Sequence, residues 1–157
     1  MKKILIFSPS WLGDAVISNS LLQILSGKYE DSSIDILSPE WLVPVYERMK
    51  EVKKIIRNPF EHGELSFFSR INFSKSLELN KYDIGIVLPN SFKSALILKF
   101  AKIPKRIGFV GEFRQLLLND AKVLDKKKLP RMVDRFNYLS NINKTDAPNP
   151  MLIGNQE

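Results

Sequence analysis

The sequence predicts an α/β fold in which helices flank a doubly wound, mostly parallel sheet. Short apolar runs, typical of strands buried on both faces, recur along the chain, and segments with helical periodicity lie between them. This alternation indicates βαβ units, which place helices on both faces of a parallel sheet. The 157 residues, 44% of them hydrophobic, suffice for one ordinary domain with its own core.

The elements follow from these patterns in chain order. The first strand is predicted at 3–7, a turn at 8–13, and a helix at 14–26, which Gly27 is expected to end. Further strands are predicted at 33–37, 52–56, 83–88 and 106–109. Further helices are predicted at 39–49, at 65–79, from Phe92 to Phe100 and at 132–142. Pro148 and Pro150 stand in a polar tail, so we assign 1–146 to the domain and 147–157 to the start of an inter-domain linker.

Composition excludes several classes of protein. The chain has no cysteine, which excludes disulfides and thiolate metal sites and favours a cytoplasmic protein. Met1-Lys2-Lys3 opens like a signal peptide, but the apolar run that follows stops at Ser8, too early for one. No stretch approaches the roughly 18 apolar residues of a membrane span.

The net charge of +7 is unevenly placed. Residues 1–89 hold 11 Lys or Arg and 11 Asp or Glu, so residues 90–157 carry the whole excess. A local basic excess suggests an anionic partner such as nucleic acid, phosphorylated lipid or nucleotide. A solvated face that only aids solubility explains the same charge equally well, and it is the preferred explanation for the run 126–128.

Two loops follow the carboxyl ends of predicted strands, where ligands bind in such sheets. The first, 8–14, lacks the GxGxxG pattern of a pyrophosphate cradle, because Gly13 is its only glycine. It offers Ser10, Trp11 and, at the start of the helix, Asp14. On spacing alone, Asp14 is more simply a first-turn carboxylate stabilised by the helix dipole, worth about 0.3–1 kcal/mol, than a catalytic group.

The second loop, 89–94, holds amide, hydroxyl and ammonium groups at a helix N-terminus. Backbone N–H groups and the dipole favour an anion there, and Asn90, Ser91 and Lys93 could join them. An N-cap followed by a surface lysine is the simpler explanation. A lysine in a first helical turn nevertheless opposes the dipole, which suggests a ligand that compensates for it.

The remaining candidates are weaker. His62 is the only histidine, and a lone loop histidine is far more often solvated than a metal ligand. Trp11 and Trp41 are more simply core or rim aromatics, because no RNA-binding pattern interleaves them with basic residues.

Several segments together resemble the heptosyltransferases of lipopolysaccharide inner-core synthesis, glycosyltransferase family 9, and most of all those of the second type. Each segment is short, but their order and spacing run through nearly the whole chain. The segments are Ser8-Pro9-Ser10-Trp11-Leu12-Gly13-Asp14, Glu61-His62-Gly63, Leu88-Pro89-Asn90-Ser91-Phe92-Lys93-Ser94, Gly108-Phe109-Val110-Gly111-Glu112-Phe113-Arg114 and Leu117-Leu118-Asn119-Asp120.

The resemblance implies a Rossmann-like domain that is the N-terminal half of a GT-B glycosyltransferase. In that architecture two such domains face a cleft; the first binds the acceptor and the second binds the donor, ADP-heptose. The implied reaction is an inverting transfer of heptose to the phosphorylated lipopolysaccharide inner core, without metal or other cofactor and without nucleic acid as a partner. The donor domain lies outside this sequence, so the chain alone is expected to be inactive.

The resemblance also assigns roles to residues. The family's proposed general base falls on Asp14, and single-displacement inversion requires a base to take the proton of the acceptor hydroxyl. Acceptor binding falls on Ser10, Trp11, Asn90, Ser91, Lys93 and Arg114. Arg57 and Arg131 could also hold acceptor phosphates or carboxylates, but on charge alone. A cytoplasmic enzyme of this kind is compatible with peripheral contact to the inner membrane surface.

Two alternatives remain open. A basic, non-catalytic binding module for nucleic acid or anionic lipid would use the charge of +7 and would not need Asp14. Another nucleotide-dependent Rossmann enzyme would explain the fold, but the missing glycine pattern opposes it.

Overall fold

The computed structural model describes residues 1–61, 63–142 and 146–154, and in them it has six parallel strands and five α-helices. The strands are β1 (Lys2–Phe7), β2 (Ser32–Ser38), β3 (Val52–Arg57), β4 (Ile84–Val87), β5 (Lys105–Phe109) and β6 (Asp120–Lys122). The helices are α1 (Leu12–Lys28), α2 (Val43–Tyr46), α3 (Phe67–Glu78), α4 (Phe92–Phe100) and α5 (Met132–Tyr138). Two 3₁₀ turns lie at Glu40–Leu42 and Arg114–Leu116.

The strands form one sheet in the order β3-β2-β1-β4-β5-β6. From β1, the chain adds β2 and β3 on one side of the sheet. It then returns to the other side of β1 and adds β4, β5 and β6 in that direction. The topological switch point therefore lies between β1 and β4, whose residues Phe7 and Val87 are register partners. This order and the parallel pairing confirm the predicted Rossmann-like sheet.

Two apolar layers cover the sheet, and β1 contributes to both. Ile4 and Ile6 face the layer formed by α1, α2 and α5, while Leu5 and Phe7 face the layer formed by α3 and α4. Because both faces are covered, β1 is a continuous apolar run rather than an alternating one.

The structure corrects three predicted elements. Helix α1 continues through Gly27 to Lys28, so Gly27 does not end it. The predicted helix 39–49 is instead a 3₁₀ turn followed by the short α2, because Pro44 lacks an amide hydrogen and is tolerated in a first turn but not in a helix interior. The strand β6 was not predicted, since its three residues are only half-buried and carry no apolar run.

The described part of the tail lies against the domain. The amide of Met151 donates to Asn19 Oδ1 (2.8 Å), the amide of Ile153 donates to the Arg48 carbonyl (2.8 Å), and Gln23 Nε2 donates to the Asn149 carbonyl (2.8 Å). Within the described residues, no helix is both long and apolar enough to cross a bilayer.

Candidate functional site

Two loops leave the sheet side by side at the switch point. Strand β1 continues into residues 8–11 before α1, and β4 continues into residues 88–91 before α4. The Leu88 amide donates to the Phe7 carbonyl (3.2 Å), which holds the two exits together. The structure thus brings together the two loops that the sequence singled out.

The first loop presents Asp14 in the first turn of α1. The carboxylate is half-buried, and it takes part in none of the hydrogen bonds or ion pairs found among the described residues. Trp11 precedes the helix and is 75% exposed, and Ser10 is exposed beside it. The Trp11 carbonyl accepts from the Ala15 amide (2.9 Å), so Asp14 stands within a closed first turn. A carboxylate on a fixed helix start, with no partner in the described part of the chain, is suited to accept a proton from a bound group.

The second loop forms the capped N-terminus of α4. Ser91 is the N-cap, and its Oγ accepts from the Ser94 amide (3.3 Å). Asn90 is exposed, and Lys93 reaches across to donate from Nζ to the Gly63 carbonyl (2.7 Å). The N-cap interpretation is therefore confirmed for Ser91, and the ammonium group of Lys93 joins α4 to the backbone of Gly63.

A third loop, 110–114 at the carboxyl end of β5, closes over the second. Glu112 and Phe113 have positive φ angles (45° and 60°), a conformation that is uncommon for residues other than glycine. Glu112 Oε2 accepts from the Phe92 amide (2.9 Å), so a carboxylate of the protein lies at the N-terminus of α4. Glu112 belongs to a segment that carries the family resemblance, but the sequence did not indicate this contact.

The structure places Arg114 beneath the second loop rather than on its surface. Its side chain is fully buried, Nη1 donates to the Pro89 carbonyl, and Nε and Nη2 have no hydrogen-bond partner in the described residues. Burial lowers the pKa of this guanidinium to about 10, although the nearby Glu112 acts in the opposite direction. Arg114 supports the loop that carries Asn90, and it does not face solvent where an acceptor would bind.

The two arginines proposed on charge alone already have partners. Arg57 Nε lies 2.5 Å from Glu40 Oε2, and Arg131 makes two hydrogen bonds, of 2.7 and 2.9 Å, to the Asp134 carboxylate. The side chains of 126–128 are exposed, which confirms the solvated loop predicted there.

The remaining candidates lie apart from the switch point or outside the structure. Trp41 is 57% exposed near the carboxyl end of β2, and so is a rim aromatic like Trp11. His62 lies outside the described residues. Among the described residues there is no cluster of three or more His, Cys, Asp or Glu side chains that could hold a metal ion.

A shallow groove runs along β3, two strands from the switch point. It is lined in part by Lys53, Lys54 and Arg57, which leave charged side chains on an edge strand. Charged edges discourage pairing with other chains, so this groove has a sufficient structural explanation.

A buried hydroxyl cluster beneath the first loop is the other feature that the sequence did not reveal. It joins Tyr46 of α2 to Ser8 and Ser18. No local pattern could have predicted it, because the partners are separated by 38 and 28 residues along the chain.

Comparison with known proteins agrees with this geometry. The family model for glycosyltransferase family 9 (heptosyltransferase) matches residues 70–154. Lipopolysaccharide heptosyltransferase 2 of Escherichia coli (strain K12) is 45% identical over 155 residues, which cover 96% of this chain and 44% of the relative. Lipooligosaccharide heptosyltransferase 2 of Haemophilus ducreyi is 47% identical over 148 residues, covering 94% and 42%.

Solved structures give the same result. The E. coli ADP-heptose lps heptosyltransferase II matches with a TM-score of 0.88 at 38% identity, over 99% of this chain and 47% of that one. A family 9 glycosyltransferase from Veillonella parvula shares the fold, with a TM-score of 0.80 at 20% identity. The chain spans less than half the length of these relatives, and its sheet corresponds to the N-terminal half of a GT-B enzyme. The chain belongs to glycosyltransferase family 9, the heptosyltransferases.

Proposed function

We propose that this chain is the acceptor-binding half of an enzyme that transfers heptose from ADP-heptose to the inner core of lipopolysaccharide. The observation that carries the proposal is the Asp14 carboxylate, which has no hydrogen-bond or ion-pair partner among the described residues. It follows β1, the strand that pairs with β4, and β4 leads into the capped start of α4. The identity to curated heptosyltransferases over nearly the whole chain supports the choice of substrates.

In this proposal Asp14 acts as a general base in an inverting displacement. The acceptor hydroxyl loses its proton to the carboxylate as its oxygen bonds to C1 of the donor heptose. The bond from C1 to the diphosphate breaks at the same time, and ADP leaves with the electron pair. The base needs only to be ionised and positioned, so no metal ion is required on this half.

The acceptor's anionic groups would bind at the start of α4. The helix dipole and the first amides of α4 attract an anion, and Lys93 adds a positive charge to the same turn. Asn90, Ser91, Ser10 and Trp11 border this region and can contact the sugars. The Glu112 carboxylate already accepts a hydrogen bond from the Phe92 amide. An acceptor phosphate or carboxylate would therefore compete with Glu112 for this amide.

The donor would be bound mainly by the other half of the enzyme, since residues 1–157 match only 44% of the E. coli relative. Rate enhancement requires donor and acceptor to be held together in a near-attack geometry. We therefore expect residues 1–157 alone to transfer no heptose. We also propose that the enzyme is cytoplasmic and has no nucleic acid partner, and that its basic excess serves a peripheral contact with the anionic inner membrane surface.

The test uses a two-domain hybrid that joins residues 1–154 to the C-terminal half of Lipopolysaccharide heptosyltransferase 2 of E. coli. We expect the hybrid to transfer heptose and Asp14→Asn to lower turnover by roughly 10²–10⁴-fold, the loss typical of a missing general base. Asp31→Asn is the matched control, because Asp31 pairs with the N-terminal amine beside the amino ends of β1 and β2, away from the switch-point loops. Turnover by Asp14→Asn close to that of the unmutated hybrid, at saturating donor, would exclude Asp14 as the base.

A further inference from the structure

The hydroxyl of Tyr46 contacts Ser8, at the start of the first loop, and Ser18, one turn of α1 beyond Asp14. We propose that Tyr46 is a positioning residue, which holds the first turn of α1 and thereby fixes the Asp14 carboxylate at the switch point. This inference rests on the proposed function, since it gives Tyr46 a purpose only if the position of Asp14 matters.

The contacts define a small buried cluster. Tyr46 is 1% exposed, and its Oη lies 2.8 Å from Ser8 Oγ and 3.4 Å from Ser18 Oγ. Ser8 is the residue directly after β1, and Ser18 lies one turn of α1 beyond Asp14. Both serines are themselves buried. A single hydroxyl from a separate helix therefore contacts the chain before and after the loop.

The direction of the hydrogen bonds follows from the other partners of the serines. Ser8 Oγ donates to the Pro9 carbonyl (2.7 Å), and Ser18 Oγ donates to the Ala15 carbonyl (2.6 Å). Each serine has one hydroxyl hydrogen, so the Tyr46 hydrogen is left to donate, most directly to Ser8 Oγ. The chain of bonds then runs from α2 through Ser8 to the backbone of the loop.

The phenol stays neutral in this environment. Burial raises the pKa of Tyr46, the hydrogen bonds with Ser18 and Ser8 lower it by less, and the negative charge of Asp14 raises it further. A neutral phenol keeps its hydrogen and remains a donor at any pH where the enzyme would work.

Phenylalanine would fill the same apolar space, so packing alone does not require tyrosine at this position. Removing the hydroxyl leaves Ser8 Oγ buried with one hydrogen-bond partner fewer, which weakens the hold on the start of the loop. Tyr82 offers a matched control. It is also buried, and its hydroxyl donates to Asp35 Oδ2 (2.6 Å), but in the layer on the opposite face of the sheet from Tyr46.

The first test is amide hydrogen exchange on residues 1–157. Tyr46→Phe should speed exchange of the Ala15 amide, which closes the first turn, by roughly 5-fold or more relative to the Ile97 amide of α4. Tyr82→Phe should leave this ratio within about 2-fold. Equal changes in both variants would mean that Tyr46 acts only on global stability, and no change in Tyr46→Phe would overturn the positioning role.

The second test measures turnover of the same variants in the two-domain hybrid. Tyr46→Phe should lower kcat by roughly 10-fold or more with little change in either KM, because a displaced base slows chemistry rather than binding. Ser8→Ala should have a similar effect, and the double variant should lose no more than either single one, since both break one chain of hydrogen bonds. A large loss in Asp14→Asn with none in Tyr46→Phe would contradict this inference alone. Retained turnover in Asp14→Asn would contradict the proposed function instead.

Discussion

Glu112 and Phe92 are joined by a hydrogen bond of 2.9 Å from the Phe92 amide to the Glu112 carboxylate, at the N-terminus of α4. The carboxylate comes from a loop with two successive left-handed residues, a costly conformation that must be held by the surrounding contacts. The protein thus supplies its own anion to a helix start that attracts anions. An acceptor phosphate at this position would have to displace Glu112 or share the site with it.

Glu112→Gln should therefore strengthen anion binding at the start of α4. The neutral side chain has no negative charge to compete with a bound phosphate. A charge at a helix terminus is stabilised by about 0.3–1 kcal/mol, which corresponds to a roughly 2- to 5-fold lower Kd for phosphate. Titration with inorganic phosphate, followed by the amide shifts of Phe92 and Lys93, measures this Kd. Glu78→Gln is the control, because it makes the same change in net charge at Lys102, away from α4's start. Equal gains in both variants would attribute the effect to net charge alone.

Lys93→Ala should weaken the apparent affinity of the two-domain hybrid for the acceptor more than for ADP-heptose. Lys93 belongs to the first turn of α4, and its ammonium group would turn from the Gly63 carbonyl to the acceptor's anionic groups. Charge-assisted contacts of this kind are about twice as strong as neutral ones. The comparison is between the KM values for a phosphorylated and a dephosphorylated acceptor. The loss should shrink with the dephosphorylated acceptor.

Lys93 also donates to the Gly63 carbonyl, so a structural effect needs its own control. Lys99→Ala removes a lysine from the exposed face of the same helix and should leave both KM values unchanged. Equal losses for the two acceptors would show that Lys93 acts through its hydrogen bond to Gly63 rather than through acceptor phosphates.

Much of this architecture could be predicted from the chain, and the exceptions have physical reasons. Buried strands such as β1 and the cap at Ser91 have local signals, because an apolar run or a hydroxyl before a helix determines them. The burial of Arg114 and the Tyr46 cluster depend on contacts between residues far apart in sequence. Arginine in a motif suggested an exposed anion contact, whereas the fold turns that side chain under the Pro89 loop.

Gly108→Ala should destabilise the domain through Arg114. A Cβ built on Gly108 would lie 2.6 Å from Arg114 Nη2 and 2.9 Å from Leu118 Cδ1, and neither side chain has open space, since both are buried. We expect a loss of about 1–3 kcal/mol in the free energy of unfolding, as for other overpacked cores. Urea unfolding measures it. Gly27→Ala is the control: its Cβ would meet nothing within 4 Å inside α1, so it should stabilise by roughly 0.5–1 kcal/mol.

Asp120 of β6 should contribute stability that is lost in acid. Burial by itself raises the pKa of this carboxyl, but hydrogen bonds from Lys122 and Asn141 and the charges of Lys122 and Lys105 outweigh it, so the folded-state pKa lies below the ordinary 3.8. A carboxyl with a lowered folded-state pKa binds fewer protons folded than unfolded, so its contribution is complete above the unfolded pKa and disappears as pH falls through the folded one. Asp120→Asn should therefore lower the Tm at pH 7, and the difference from the unmutated protein should close below the ordinary pKa.

The control for this prediction is the same substitution in a Lys122→Ala background. There it should lower the Tm at pH 7 by less, because the nearest cation, 2.7 Å from Asp120 Oδ1, is gone. A Tm difference that stays constant from neutral to acid pH would show that the ionised form of Asp120 adds nothing to the stability of this edge of the sheet.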